Sequence, residues 1–205
     1  MKVKICGITN LDDALCACEF GADAIGFVFY GKSPRLVSQE TARIIAEKLP
    51  PFVKKVGLFV EQTTEEIDCI CTYAKLDLAQ IHTETDDRFF NRLKTPFLKV
   101  VRAKKREDLT LFLGEYRLID AFTKSYGGEG KCLPIEWFKD YDKIDRSERD
   151  KIILAGGLNL GLLDKIAPLG FYGIDVSSGV EKNKGIKDRA LIKEFLLTAK
   201  AIQNE

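Results

Sequence analysis

Residues 152–181 read IILAGGLNLGLLDKIAPLGFYGIDVSSGVE. An apolar run, Ile152–Ala155, leads into the pair Gly156-Gly157, and after a connecting stretch a second run, Gly173–Val176, leads into the pair Ser177-Ser178. Two short β-rich runs joined this way form a strand, crossover, strand unit, which pairs in parallel through a right-handed connection. The same rhythm extends back along the chain through Val3–Ile8, Ala24–Phe29, Val56–Val60, Leu78–Ile81, Phe97–Val101 and Leu118–Ile119. These runs mostly lack polar alternation, so the strands are expected to be buried on both faces. Eight units of roughly 25 residues match the size of a minimal closed barrel. The expected fold class is α/β, a single (β/α)8 TIM barrel over residues 1–205, with an open doubly wound sheet as the structural alternative.

Helix-period segments lie between the runs. Ser38–Leu49 places Ala42, Ile45, Ala46 and Leu49 on one face and stops at Pro50, as an amphipathic surface helix does. Thr63 with Glu66 forms a capping box ahead of Ile67, Ile70, Cys71 and Ala74. Asp188–Ile202 is the longest amphipathic stretch, and Lys139–Lys151 is expected to be a solvated helix-to-strand connection. No linker rich in Pro, Gly or Ser divides the chain.

Composition excludes several classes of function. The chain has 45% hydrophobic and 31% charged residues, which predicts a globular protein rather than a disordered one. Its net charge of +1 lacks the basic excess that a nucleic-acid partner would favour. MKVKICGIT has no secretory apolar stretch, and no run approaches the ~20 residues of a membrane span, so a cytoplasmic location away from membranes is expected. In that compartment all six cysteines should be free. With His82 as the lone histidine and no Cys-x-x-Cys motif, a metal site is not expected.

In a parallel barrel the functional groups sit where strands end and their loops begin. Cys6, at the first such end, reads either as core packing or as a thiolate base or nucleophile. Lys32 and Arg35 follow the second strand, where an arginine is either solvated or suited to a carboxylate. Asp120 follows Leu118-Ile119 and is either a turn cap or a catalytic acid or base. Gly127, Gly128 and Gly130 form either a phosphate-approaching loop or a turn. Gly156, Gly157, Ser177 and Ser178 offer backbone N–H groups and hydroxyls of the kind a barrel phosphate site requires.

KICGIT, GFVFY followed by KSPR, VGLFV, QIH, GGEGK, LAGGLN and DVSSGVE occur in this order at barrel spacing from Lys2 to about Lys187. The set resembles the phosphoribosylanthranilate isomerases of tryptophan biosynthesis, and KICGIT with DVSSGVE is highly specific to them. The resemblance implies Cys6 as general base, Asp120 as general acid, Arg35 on the anthranilate carboxylate and Asp175 on the sugar hydroxyls. It also implies phosphate binding by Gly156, Gly157, Ser177 and Ser178. The partner would then be a small phosphosugar, the reaction a cofactor-free Amadori rearrangement, and the enzyme a monomer or homodimer. The mechanism requires a neutral Asp120 and an ionised Cys6, so burial should raise the first pKa and local positive potential lower the second. Two features depart from the family pattern: Thr83 follows His82 where Gly is usual, and Asn183–Lys187 lacks a Pro-Gly.

Two other readings compete with this one. A pentose-phosphate epimerase would rely on carboxylate pairs or metal-bound histidines, and a catalytically silent phosphate-binding scaffold would bind phosphosugars without turnover.

Overall fold

The computed structural model describes residues 1–83, 86–123, 132–139, 141 and 143–202. Eight parallel strands close into a barrel: β1 (Lys2–Ile5), β2 (Ala24–Val28), β3 (Lys54–Phe59), β4 (Leu78–Ile81), β5 (Phe97–Ala103), β6 (Arg117–Ala121), β7 (Ile152–Leu154) and β8 (Gly173–Val176). Closure is direct, because β1 pairs with β2 through Lys4 and Ala24 and with β8 through Lys4 and Asp175. The doubly wound alternative is thereby excluded.

Around the barrel run α1 (Leu11–Glu19), α2 (Gln39–Ala46), α3 (Thr64–Tyr73), α4 (Asp87–Arg92), α5 (Arg146–Arg149), α6 (Leu163–Ile166) and α7 (Arg189–Ala201). Local chemistry sets their starts. Thr63 and Glu66 cap α3 reciprocally, and the Asp188 carboxylate accepts from the Ala190 and Leu191 amides at the head of α7, satisfying N–H groups that have no helical partner. Lys139–Lys151 is more than a solvated connection, since it contains α5, whose Glu148 takes the fully buried Arg117 guanidinium at 3.0 Å. The helical layer is also thinner than strict alternation predicts. After β5, the described residues before β6 hold only a 3-10 turn, Arg106–Thr110.

The expectation that the strands lack polar alternation needs correction. Val3, Ile5, Ile25, Phe27, Ala79, Ile81, Ile119, Ala121, Ile174 and Val176 all belong to the large core between barrel and helices. The residues alternating with them point into the barrel, and there Lys4, Gln80, His82 and Asp175 are buried beside apolar Val28, Leu58, Val100 and Leu118. Both faces are buried as expected, but the inner face is chemically mixed.

Candidate active site

Cys6 follows the last residue of β1, and its amide donates to the Val176 carbonyl of β8 at 2.8 Å, so the barrel's own hydrogen-bond ladder places it. It is buried, with 5% of its surface exposed. Gly7 comes next at φ +73°, and a Cβ there would lie 2.4 Å from Arg35 Cδ and 3.0 Å from Ser177 Oγ. Glycine therefore serves both the left-handed backbone and the close passage of Arg35.

A chain of buried polar groups crosses the barrel beneath Cys6. Lys4 Nζ donates to Gln80 Oε1 and to Asp175 Oδ2, each at 2.8 Å. Because Gln80 Oε1 accepts from Lys4, its amide nitrogen is left to donate to His82 Nε2 at 2.6 Å. That assignment puts the imidazole proton on Nδ1, which has no partner among the described residues. Burial, then the charges of Lys4 and Arg102, pulls the His82 pKa down to about 3, so the ring is neutral. Asp175 Oδ1 is likewise buried without a partner among the described residues, leaving its lone pairs available to a hydroxyl donor.

Asp120 lies on β6, in register with Arg102 of β5 and three strands around the ring from Cys6. Burial, reinforced by the charge of Asp175, pushes its pKa up to about 7, against the Ala121 amide, Arg102 and Lys4. The expected neutral acid is therefore accessible at physiological pH. Cys6 behaves differently from expectation. Burial and the Asp175 carboxylate raise its thiol pKa, and the opposing charges of Lys4 and Lys187 do not outweigh them.

Gly156 and Gly157 follow β7 at φ +87° and +60°, a reversal that side chains rarely adopt. The loop after β8 packs against them closely enough that a Cβ on Gly179 would lie 1.9 Å from the Leu158 carbonyl oxygen. Ser177 and Ser178 stand on that second loop. Lys187 Nζ donates to the Ser177 carbonyl at 3.1 Å and to Glu181 at 2.8 Å. Cys132 places its thiol on the Gly157 carbonyl at 3.0 Å, so this cysteine borders the paired loops. Gly127, Gly128 and Gly130 lie outside the described residues.

Lys32 is solvated, paired at 3.3 Å with Glu61, which is also exposed. Arg35 is not solvated. Its Nε and one terminal nitrogen donate to the two oxygens of Glu181 at 2.8 and 2.7 Å, with both side chains buried. Glu181 begins a small hairpin, β9 (Glu181–Asn183) and β10 (Ile186–Lys187). Gly185 turns between them at φ +83° and accepts from the Thr9 hydroxyl at 2.6 Å, which ties this hairpin to the loop after β1. Among the described residues, no three His, Cys, Asp or Glu side chains converge as a metal site would require.

The structure thus brings Cys6, Asp120, Asp175 and the paired loops to one end of the barrel, and ties Arg35 to Glu181. Sequence reasoning did not single out Lys4, Gln80, Glu181 or Lys187. For Lys4 and Gln80 a signal was present: each is a polar residue two positions before a flagged one, on the same strand face.

The sequence model of N-(5′-phosphoribosyl)anthranilate isomerase matches residues 3–198. An N-(5′-phosphoribosyl)anthranilate isomerase of a Nitratiruptor species is 52% identical over 98% of this chain and 99% of its own length. A solved structure of monomers generated from the dimeric enzyme of Thermotoga maritima superposes with a TM-score of 0.86 at 35% identity, covering 98% of this chain and 99% of that one. A solved enzyme in complex with reduced 1-(o-carboxyphenylamino)-1-deoxyribulose 5-phosphate superposes with a TM-score of 0.82 at 37% identity and the same coverage.

Proposed function

This chain belongs to the N-(5′-phosphoribosyl)anthranilate isomerase family of tryptophan biosynthesis, and from that premise we propose that Asp120 and Cys6 carry the isomerisation as its general acid and general base. Protonated Asp120 donates to the furanose ring oxygen as the bond from that oxygen to C1 breaks, and the anilino nitrogen lone pair forms the C1=N Schiff base. Cys6 thiolate then takes the C2 proton, giving an enolamine. The enolamine loses its hydroxyl proton and gains one at C1, which yields the aminoketose. The observation that carries this reading is Asp120, held near neutrality by burial and by the charge of Asp175, as a general acid at neutral pH needs.

Gly156, Gly157, Ser177 and Ser178 are proposed to bind the phosphate, and the unpartnered Asp175 Oδ1 to accept a sugar hydroxyl. Arg35 is proposed to receive the anthranilate carboxylate through N–H groups not committed to Glu181. Both rival readings give way: the relatives are isomerases of this one substrate rather than epimerases or silent binders. The decisive assay generates phosphoribosylanthranilate in situ and follows its loss. Consumption no faster than the spontaneous rate would refute the catalytic reading.

Residues 1–205 are proposed to act as one catalytic unit in the cytoplasm, supported by six free thiols. Among the described residues no helix is long and apolar enough to cross a membrane. A homodimer is proposed on the dimeric relative and on Phe52, which is 97% exposed beside a cleft of about 550 Å³ shared with Phe97, Tyr116 and Tyr172. Phe52→Asp should shift the species seen by light scattering from dimer to monomer, and an unchanged mass would remove Phe52 from the interface.

A further inference from the structure

Lys4 is a buried cation that the acid/base assignment leaves unused. Its side chain is 8% exposed and its partner Asp175 6%. Such a pair costs desolvation that its own attraction offsets only in part, and an apolar pair of similar volume is often as stable. Stability alone therefore gives little reason for a lysine here.

Position supplies a better reason. Lys4 and Cys6 alternate on one strand face, so both point into the barrel. Between them lies the space left by Gly26 on β2, where a Cβ would stand 2.8 Å from Lys4 Cε and 2.9 Å from Cys6 Sγ. An ammonium has three N–H donors, and two are committed to Gln80 and Asp175. We propose that Lys4 is a positioning residue for the isomerisation, whose remaining N–H holds the Cys6 sulfur as a thiolate while Gln80 and Asp175 anchor the ammonium. The inference rests on the reading of Cys6 as the base.

The groups facing this site from other elements are Asp175 on β8, Asp120 on β6, His82 beyond β4, Arg102 on β5, Arg35 beyond β2 and Lys187 on β10. Of these, Asp175 opposes thiolate formation and Lys187 favours it, as does Lys4 itself. His82 is neutral and adds no charge.

The test titrates the ultraviolet absorbance of the Cys6 thiolate, with Cys6→Ser as baseline, in four proteins: wild type, Lys4→Met, Asp175→Asn and Lys4→Met/Asp175→Asn. Lys4→Met should raise the Cys6 midpoint by a pH unit or more and lower kcat at neutral pH at least tenfold. KM should stay within about threefold, and kcat should partly recover at alkaline pH. Should the orphaned Asp175 carboxylate prevent Lys4→Met from folding, the double variant has no such charge, and its midpoint should exceed that of Asp175→Asn by a unit or more. A midpoint unchanged by loss of Lys4 in the comparison that folds would overturn the proposal, as would a kcat loss with an unmoved pH profile. Turnover retained by Cys6→Ser would instead refute the base assignment, and the thiolate titration would still report on Lys4 because it needs no turnover.

Discussion

Arg35 and Glu181 meet edge to edge, two parallel N–H to oxygen bonds of 2.8 and 2.7 Å joining a loop after β2 to the hairpin after β8. Lys187 donates at 2.8 Å to the same oxygen, Oε1, that receives Arg35 Nε, so two buried cations share the Glu181 carboxylate. A planar fork can face Glu181 along one edge and a second carboxylate along another, which an ammonium cannot do. Arg35→Lys should therefore raise KM about 10- to 100-fold, the worth of a charge-assisted hydrogen bond, with kcat changed far less. Steady-state kinetics with unaltered KM would make Arg35 purely a structural partner of Glu181.

Asp120→Asn removes the transferable proton, and turnover should fall by about 10²–10⁴. Stability should move the other way. Asp120 ionises near pH 4 when unfolded but near 7 when folded, so the native state binds the extra proton between those values and loses stability as pH rises through that window. Asn carries no such charge. Thermal melts should show Asp120→Asn more stable than wild type at pH 8, with the gap closing by pH 4; a gap independent of pH would mean that Asp120 is not held protonated.

With its thiol raised by burial and Asp175, Cys6 should alkylate slowly at pH 7 and faster as pH rises toward 10, since the thiolate is the nucleophile. A bound product analogue should suppress that labelling, whereas exposed Cys69 should label regardless of ligand. Cys6→Ser should lose most of kcat, because an alcohol ionises far less readily than a thiol. Peptide mapping that finds Cys6 labelled equally with and without ligand would place it outside the binding site.

Gly179→Ala would drive a Cβ into the Leu158 carbonyl, and Gly156→Ala would place a side chain at φ +87°. Each should raise KM for the phosphorylated substrate as well as lower the melting temperature, because the strained loops are those proposed to hold the phosphate. Gly161→Ala meets only Asn159 Oδ1 at 3.4 Å and should leave KM unchanged. Three variants with equal KM would detach these loops from phosphate binding.

All eight strands were legible because their apolar runs are short and β-branched; Leu78–Ile81 and Gly173–Val176 match at both ends, and the other ends lie within three residues of those observed. The gathering of Cys6, Asp120 and the paired loops at one mouth was legible because a parallel barrel brings its strand ends together, whereas Asp175 entered only through the family resemblance. The Arg35–Glu181 pair was not, since it joins positions 146 residues apart through a hairpin that no periodicity announces. The direction of the Cys6 shift was equally hidden. It depends on how completely the barrel excludes water and on the Asp175 carboxylate, whose charge acts on Cys6 more strongly than that of Lys4 or Lys187.

The alternation that sends Val3 and Ile5 to the helices and Lys4 and Cys6 to the interior gives the strands a reading frame of two. Inserting or deleting a single residue within β1 would exchange the two sets at a stroke, putting lysine against the helical shell and valine at the reaction centre. Length variation compatible with activity is thus confined to the connections, and a designer who grafts this barrel's chemistry elsewhere must move whole strands in phase rather than individual side chains.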